Sequence, residues 1–131
     1  MSKVFVVNKG CHDYSPAQEY GELVYLSRSS MDRFDLSKIW RKFEPQLISS
    51  SPDDWILVSG LTVMSVVATG IFVQLHNKLN ILLYKSNKKG ATYIGETIIL
   101  GGESDTIVKH SSINNRAKLR NNFLSKKEEV R

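Results

Sequence analysis

Residues 56–75 read ILVSGLTVMSVVATGIFVQL, twenty positions without a charge, and they limit what the rest of the chain can be. A run of this length satisfies the length rule for a membrane-spanning helix. It also carries Ser59, Gly60, Thr62, Ser65, Thr69, Gly70 and Gln74. Ser59-Gly60 stands where a strand would turn into a helix. The spacing predicts a buried strand at Trp55, Ile56, Leu57 and Val58, a tight turn, and a helix from about Leu61 to Asn77. A helix apolar all round is buried or lies at an interface.

The flanks agree with a soluble α/β domain rather than a span. Val4, Phe5, Val6 and Val7 form a β-branched and aromatic run, suited to a strand buried on both faces. Ser15-Pro16-Ala17-Gln18 has the order of a capping box with proline at its first helical position, so a short helix is expected there. Residues 22–26 make a second strand. Leu36, Ile39, Trp40, Phe43 and Leu47 fall on one helical face, capped by Asp35 or Asp32. Pro45 is expected to end or bend that helix near Glu44. Residues 79–84 and 91–100 are two further strands joined by a loop of hairpin composition, Ser86-Asn87-Lys88-Lys89-Gly90. The expected fold is therefore α/β, in the order β-(short α)-β-α-β-α-β-β. It is a small, mostly parallel sheet of about five strands with two main helices, and its last strand is an antiparallel edge.

Charge divides the chain unevenly. Residues 1–100 hold 11 Lys/Arg and 9 Asp/Glu, whereas residues 101–131 hold 7 and 4. Gly101-Gly102 marks the boundary between a globular domain (1–102) and a polar basic tail (103–131), expected to be partly disordered or ordered on a partner. Arg116, Lys118, Arg120, Lys126 and Lys127 would let that tail add electrostatic affinity for nucleic acid. Cys11 is the single cysteine, which excludes an internal disulfide and fits a reducing compartment. The opening MSKVFVVNKG holds too short an apolar run for a secretory signal.

In an open α/β sheet, ligands bind beyond the carboxyl ends of the strands. Two loops qualify. One follows the first strand and contributes Asn8, Lys9, Gly10, His12, Asp13, Tyr14 and Ser15. The other follows the third strand and contributes Ser59, Gly60 and Thr62. If those strands are parallel neighbours the loops converge. The free N–H groups opening the helix after Gly60 would then make an anion or phosphate seat. Ser59 and Thr62 have a plainer reading as helix N-caps, and neither a dinucleotide fingerprint nor a Walker lysine motif is present. Tyr14 and Tyr20 are the better candidates for stacking a base, with Tyr25 a further aromatic. Cys11-His12-Asp13 does not make a triad by adjacency, and His12, His76 and His110 lack ligand spacing, so neither a catalytic set nor a metal or other cofactor is expected. Asp53-Asp54 reads as turn chemistry.

VFVVNKGCHDYSPAQEYGELVYLS, followed by DDWILVSGLTVMSVVATGIFVQLHNKLNILLY, resembles small uncharacterised proteins of tailed bacterial viruses over residues 3–100. The shared pattern is Asn-Lys/Arg and His-Asp-Tyr-Ser after the first strand, and Ser-Gly before an apolar helix. The resemblance implies a virus-encoded accessory or virion protein, found in the cytoplasm of a bacterial host cell or in the particle. It brings no activity and no catalytic residue. The expected function is non-enzymatic binding of nucleotide or nucleic acid through the two loops. The alternative is an assembly or host-enzyme-inhibiting protein with a protein partner or a second copy of itself.

Overall fold

The computed structural model describes residues 1–100 and 106–110. Strand β1 is Lys3–Val6, followed by a short 3-10 helix, Ser15–Tyr20, and strand β2, Glu22–Tyr25. Helix α1 is Leu36–Leu47, β3 is Trp55–Leu57 and helix α2 is Thr62–His76. Strands β4 (Lys78–Asn87), β5 (Gly90–Ile99) and β6 (Thr106–His110) complete one sheet in the order β2-β1-β3-β4-β5-β6.

The expectation of a mostly parallel sheet is corrected: the sheet is mixed. β2, β1, β3 and β4 run parallel, while β4, β5 and β6 run antiparallel. The physical reason is the length of the ladders. The β3–β4 pairing engages only two residues of each strand, whereas β4 and β5 pair from Lys78↔Ile99 to Asn87↔Gly90 around a two-residue turn, Lys88-Lys89. The basic Ser86–Gly90 segment was expected to be loop, and most of it extends the hairpin. β5 is also not the edge, because β6 pairs beyond it. β6 lies within the segment read from sequence as a tail. Arg116, Lys118, Arg120, Lys126 and Lys127 lie outside the described residues.

Alternation along each strand divides the sheet into two faces. Phe5, Val7, Ile56 and Leu26 pack with Ile39, Phe43 and Leu47 of α1 and with Met64, Ala68, Ile71 and Phe72 of α2. Val4, Val6, Trp55, Leu57, Leu82 and Tyr93 pack with Tyr14, Ala17 and Tyr20 on the other face. The strand order explains the division. From β1 the chain steps outward to β2, then crosses back over β1 to β3 and onward to β4. Right-handed crossovers taken in opposite directions put their connections on opposite faces.

Asp35 caps α1 by accepting from Lys38 N at 3.1 Å. Pro45 does not stop that helix. It forfeits one backbone bond in the final turn, and the helix continues to Leu47, with Ile48 N donating to Glu44 O. α2 buries one face and presents Val66 (62% exposed) and Leu75 (42% exposed) outward, so it is a surface helix whose outer side is also uncharged. Among the described residues no helix is long and apolar enough to cross a membrane.

The amino end of the sheet is tied by a buried polar network. Asp54 accepts from Lys3 N (2.8 Å) and Ser51 N (2.7 Å). Asn80 donates from Nδ2 to Pro52 O (2.7 Å) and Asp54 O (2.8 Å), and its Oδ1 accepts from Thr97 Oγ1 (2.8 Å). Asp54 thus serves the turn and the sheet, as turn chemistry required.

Candidate functional site

β1 and β3 are parallel neighbours, in register from Val4↔Trp55 to Val6↔Leu57. Their onward connections leave in opposite directions, toward β2 and toward α2 and β4. This is the switch point at which open α/β sheets hold ligands. The two loops anticipated from sequence meet here. Ser59 Oγ accepts from Asn8 N at 3.0 Å and donates to Asn8 O at 2.9 Å. One hydroxyl therefore continues the β1–β3 pairing past the end of both strands. Gly60 follows at φ +74°, and a Cβ there would stand 2.7 Å from Asn8 Cβ. The turn can pass this close to Asn8 only because residue 60 has no side chain.

The capping role open to Ser59 and Thr62 is not what they perform. The N-cap of α2 is Leu61, in extended conformation and with no side-chain cap bond. Ser59 has committed its hydroxyl to Asn8, its carbonyl accepts from Ser65 Oγ at 3.3 Å, and Thr62 is already inside the helix and exposed. A fifteen-residue helix thus opens without a side chain on its first N–H groups, which carry the positive end of its dipole. Against this turn lies the Asn8 side chain, only 9% exposed. Its Oδ1 is buried and accepts no hydrogen bond. Such a group costs about 1–3 kcal/mol when nothing meets it.

The remaining residues of the first loop separate into supports and free groups. Tyr14 is buried and donates its hydroxyl to Asn8 O at 3.1 Å. Asp13 accepts from Ser15 N (2.9 Å) and Ser15 Oγ (3.0 Å), and these bonds hold its carboxyl below the ordinary aspartate range. Asp13 and Ser15 thus form the turn that opens the 3-10 helix. Ser15 is already the first residue of that helix, whose N-cap Tyr14 makes no side-chain capping bond, so the capping box expected of Ser15 and Gln18 does not form. His12 is exposed, edge-on to Tyr14 at 6.2 Å, while Lys9, Gly10 and Cys11 are also exposed.

Stacking by Tyr14 or Tyr20 is not supported, since both are core residues and Tyr20 donates its hydroxyl to Tyr93 O at 3.2 Å. Of the three tyrosines considered for stacking, the more accessible is half-buried Tyr25, at the end of β2. Lys9 Nζ lies 5.5 Å and Arg28 Cζ 5.0 Å from its ring centroid. Arg28 was not singled out from sequence. The signal was its position just beyond β2, which gains meaning only once β2 is known to lie beside β1.

Residues 2–98 match the family described as phage Pam3 gp32-like protein. The chain belongs to that family. The match supports a phage protein and spans every residue of the switch-point site. No curated protein and no solved structure matches the chain.

Elsewhere in this family member, one polar pair invites a catalytic reading. Ser50 Oγ lies 2.7 Å from His76 Nε2, at the opposite end of the sheet from Cys11 and His12. Ser50 lies just past the C-terminus of α1, and His76 is the last residue of α2. Helix C-termini carry partial negative charge, the wrong sign for holding an oxyanion. The pair instead fastens the end of α2 to the loop before β3. Burial lowers the His76 pKa and Lys78 adds to the effect, against the opposing pull of Asp54. Because the folded-state value lies below the unfolded one, the contribution is fully present above the ordinary histidine range. It is lost as pH falls through that range toward the folded value. Thermal unfolding is therefore expected to occur at lower temperature at pH 5 than at pH 7.5, and His76→Gln is expected to reduce that difference. An unchanged pH profile in the variant would assign the dependence to other groups. Among the described residues no three His, Cys, Asp or Glu side chains come together as a metal site.

Proposed function

We propose that this phage protein is a non-enzymatic binding domain that takes a phosphate-bearing ligand, nucleotide or nucleic acid, at the carboxyl ends of β1 and β3. The observation that carries the reading is the buried, unmet Asn8 Oδ1 beside the uncapped start of α2. The helix N–H groups suit an anion. The Asn8 Oδ1 suits a ligand that also brings a hydrogen-bond donor, as a ribose hydroxyl or a base N–H does. The residues around the seat favour binding over turnover: Asp13, Tyr14, Ser15 and Ser59 all spend their polar atoms holding the loops.

Calorimetric titration at low salt is the direct test, using a nucleoside triphosphate and a short single-stranded oligonucleotide. Saturable binding of at least one is expected. Asn8→Ala is expected to weaken it at least about tenfold, the scale of one charge-assisted or buried hydrogen bond. Absence of binding by both probes at low salt would overturn the reading.

A further inference from the structure

Lys9 and Arg28 are held against one ring, that of Tyr25, at 5.5 Å and 5.0 Å. Neither has a carboxylate partner among the described residues. The arrangement is fixed from the backbone: Lys9 N donates to Ser27 O at 2.9 Å, and Ser27 Oγ donates to Val7 O at 2.7 Å. These bonds carry the β1–β2 pairing past both strand ends, so residues 9 and 28 emerge side by side. The ring attracts each cation, by roughly 0.5–1 kcal/mol at an exposed site. The two cations repel one another. An anion placed between them would remove that repulsion and be met by two donors, one of them the planar fork of an arginine.

This cluster is separate from the seat at α2. The seat lies beyond β3 and on the side of the sheet that carries the helices, whereas Tyr25 packs with Val4, Val6 and Tyr14 on the other side. The order β2-β1-β3 places two strand spacings between the ends of β3 and β2, about 10 Å. One phosphate group cannot touch both places. Asn8 and Lys9 are consecutive, so the path between them runs over the end of β1 and is continuous.

We propose that the site takes a phosphodiester chain rather than a mononucleotide. One phosphate sits at the start of α2 beside Asn8 and the next lies between Lys9 and Arg28, so a single strand of nucleic acid of at least two nucleotides straddles the carboxyl edge of the sheet. Tyr25 contributes by holding the two cations at the second position. The inference rests on the phosphate-binding reading of the switch point and adds the class of ligand and two residues to it. Arg28 and Tyr25 are the additions, and Lys9 acquires a defined role.

Fluorescence anisotropy with a labelled hexanucleotide, and competition by an unlabelled 5′-phosphorylated dinucleotide, with two phosphates, and by a nucleoside monophosphate, with one, tests it on the full chain. The hexanucleotide and dinucleotide are expected to bind at least about tenfold more tightly than the mononucleotide at low salt, the effect of one added phosphate contact. Arg28→Ala is expected to weaken oligonucleotide binding about three- to tenfold and lower the salt slope by about one. It should leave mononucleotide binding unchanged, and Arg28→Lys should restore part of the loss. Equal affinities for mononucleotide and oligonucleotide, with no effect of Arg28→Ala, would overturn this inference and leave the switch-point reading standing. Failure of every probe to bind would overturn both.

Discussion

Asn80→Ala is expected to lower the free energy of unfolding by about 3–5 kcal/mol. Asn80 is buried at the junction of three strands and a turn. Its amide gives two hydrogen bonds to the Pro52 and Asp54 carbonyls and takes one from Thr97. Alanine removes all three and leaves two carbonyls facing the gap. The Asp54 carboxylate receives Lys3 N and Ser51 N in the same region, so loosening the turn also disturbs the start of β1. Urea unfolding of both proteins measures the difference. A loss below about 1 kcal/mol would mean that water enters and replaces the amide.

Gly60→Ala is expected to cost about 2–4 kcal/mol of stability and to abolish the proposed ligand binding together with it. Two effects add. An alanine at φ +74° adopts a backbone conformation that L-residues disfavour, and its Cβ would lie 2.7 Å from Asn8 Cβ and 3.0 Å from Asn8 Nδ2. Asn8 cannot retreat freely, because Ser59 and Tyr14 hold its backbone. Gly10→Ala separates the contributions. Gly10 has a similar φ of +52° with nothing near the added Cβ, so it should show the backbone cost alone, about 1–2 kcal/mol. Equal losses in the two variants would show that crowding against Asn8 contributes nothing.

Much of this fold was legible because its periodicities are clean. The uncharged run at residues 56–75 resolved into β3, a turn and α2 within one residue at each junction. What stayed hidden depended on partners remote in sequence. Nothing local to residues 91–100 announces that a further strand pairs beyond it, because an edge is a property of the neighbour. Tyr20 looks like an accessible loop aromatic until Tyr93, 73 residues away, takes its hydroxyl. The two loops of the site were found because strand ends and a Ser-Gly turn carry local signatures. Arg28 was missed because a single arginine after a strand has none. The roles inside the site were harder still: Ser59 has the composition of a cap, and only the structure shows its hydroxyl given to Asn8.

The Ser59–Asn8 bonds join residues 51 apart in sequence, whereas β4 and β5 close around two residues. Loop closure costs more entropy the longer the loop, and long-range pairings form late when local ones are available. The β4–β5 hairpin can therefore assemble on a chain whose switch point does not yet exist. The proposed seat depends on these long-range contacts, so a chain with only the hairpin formed would have sheet but no seat.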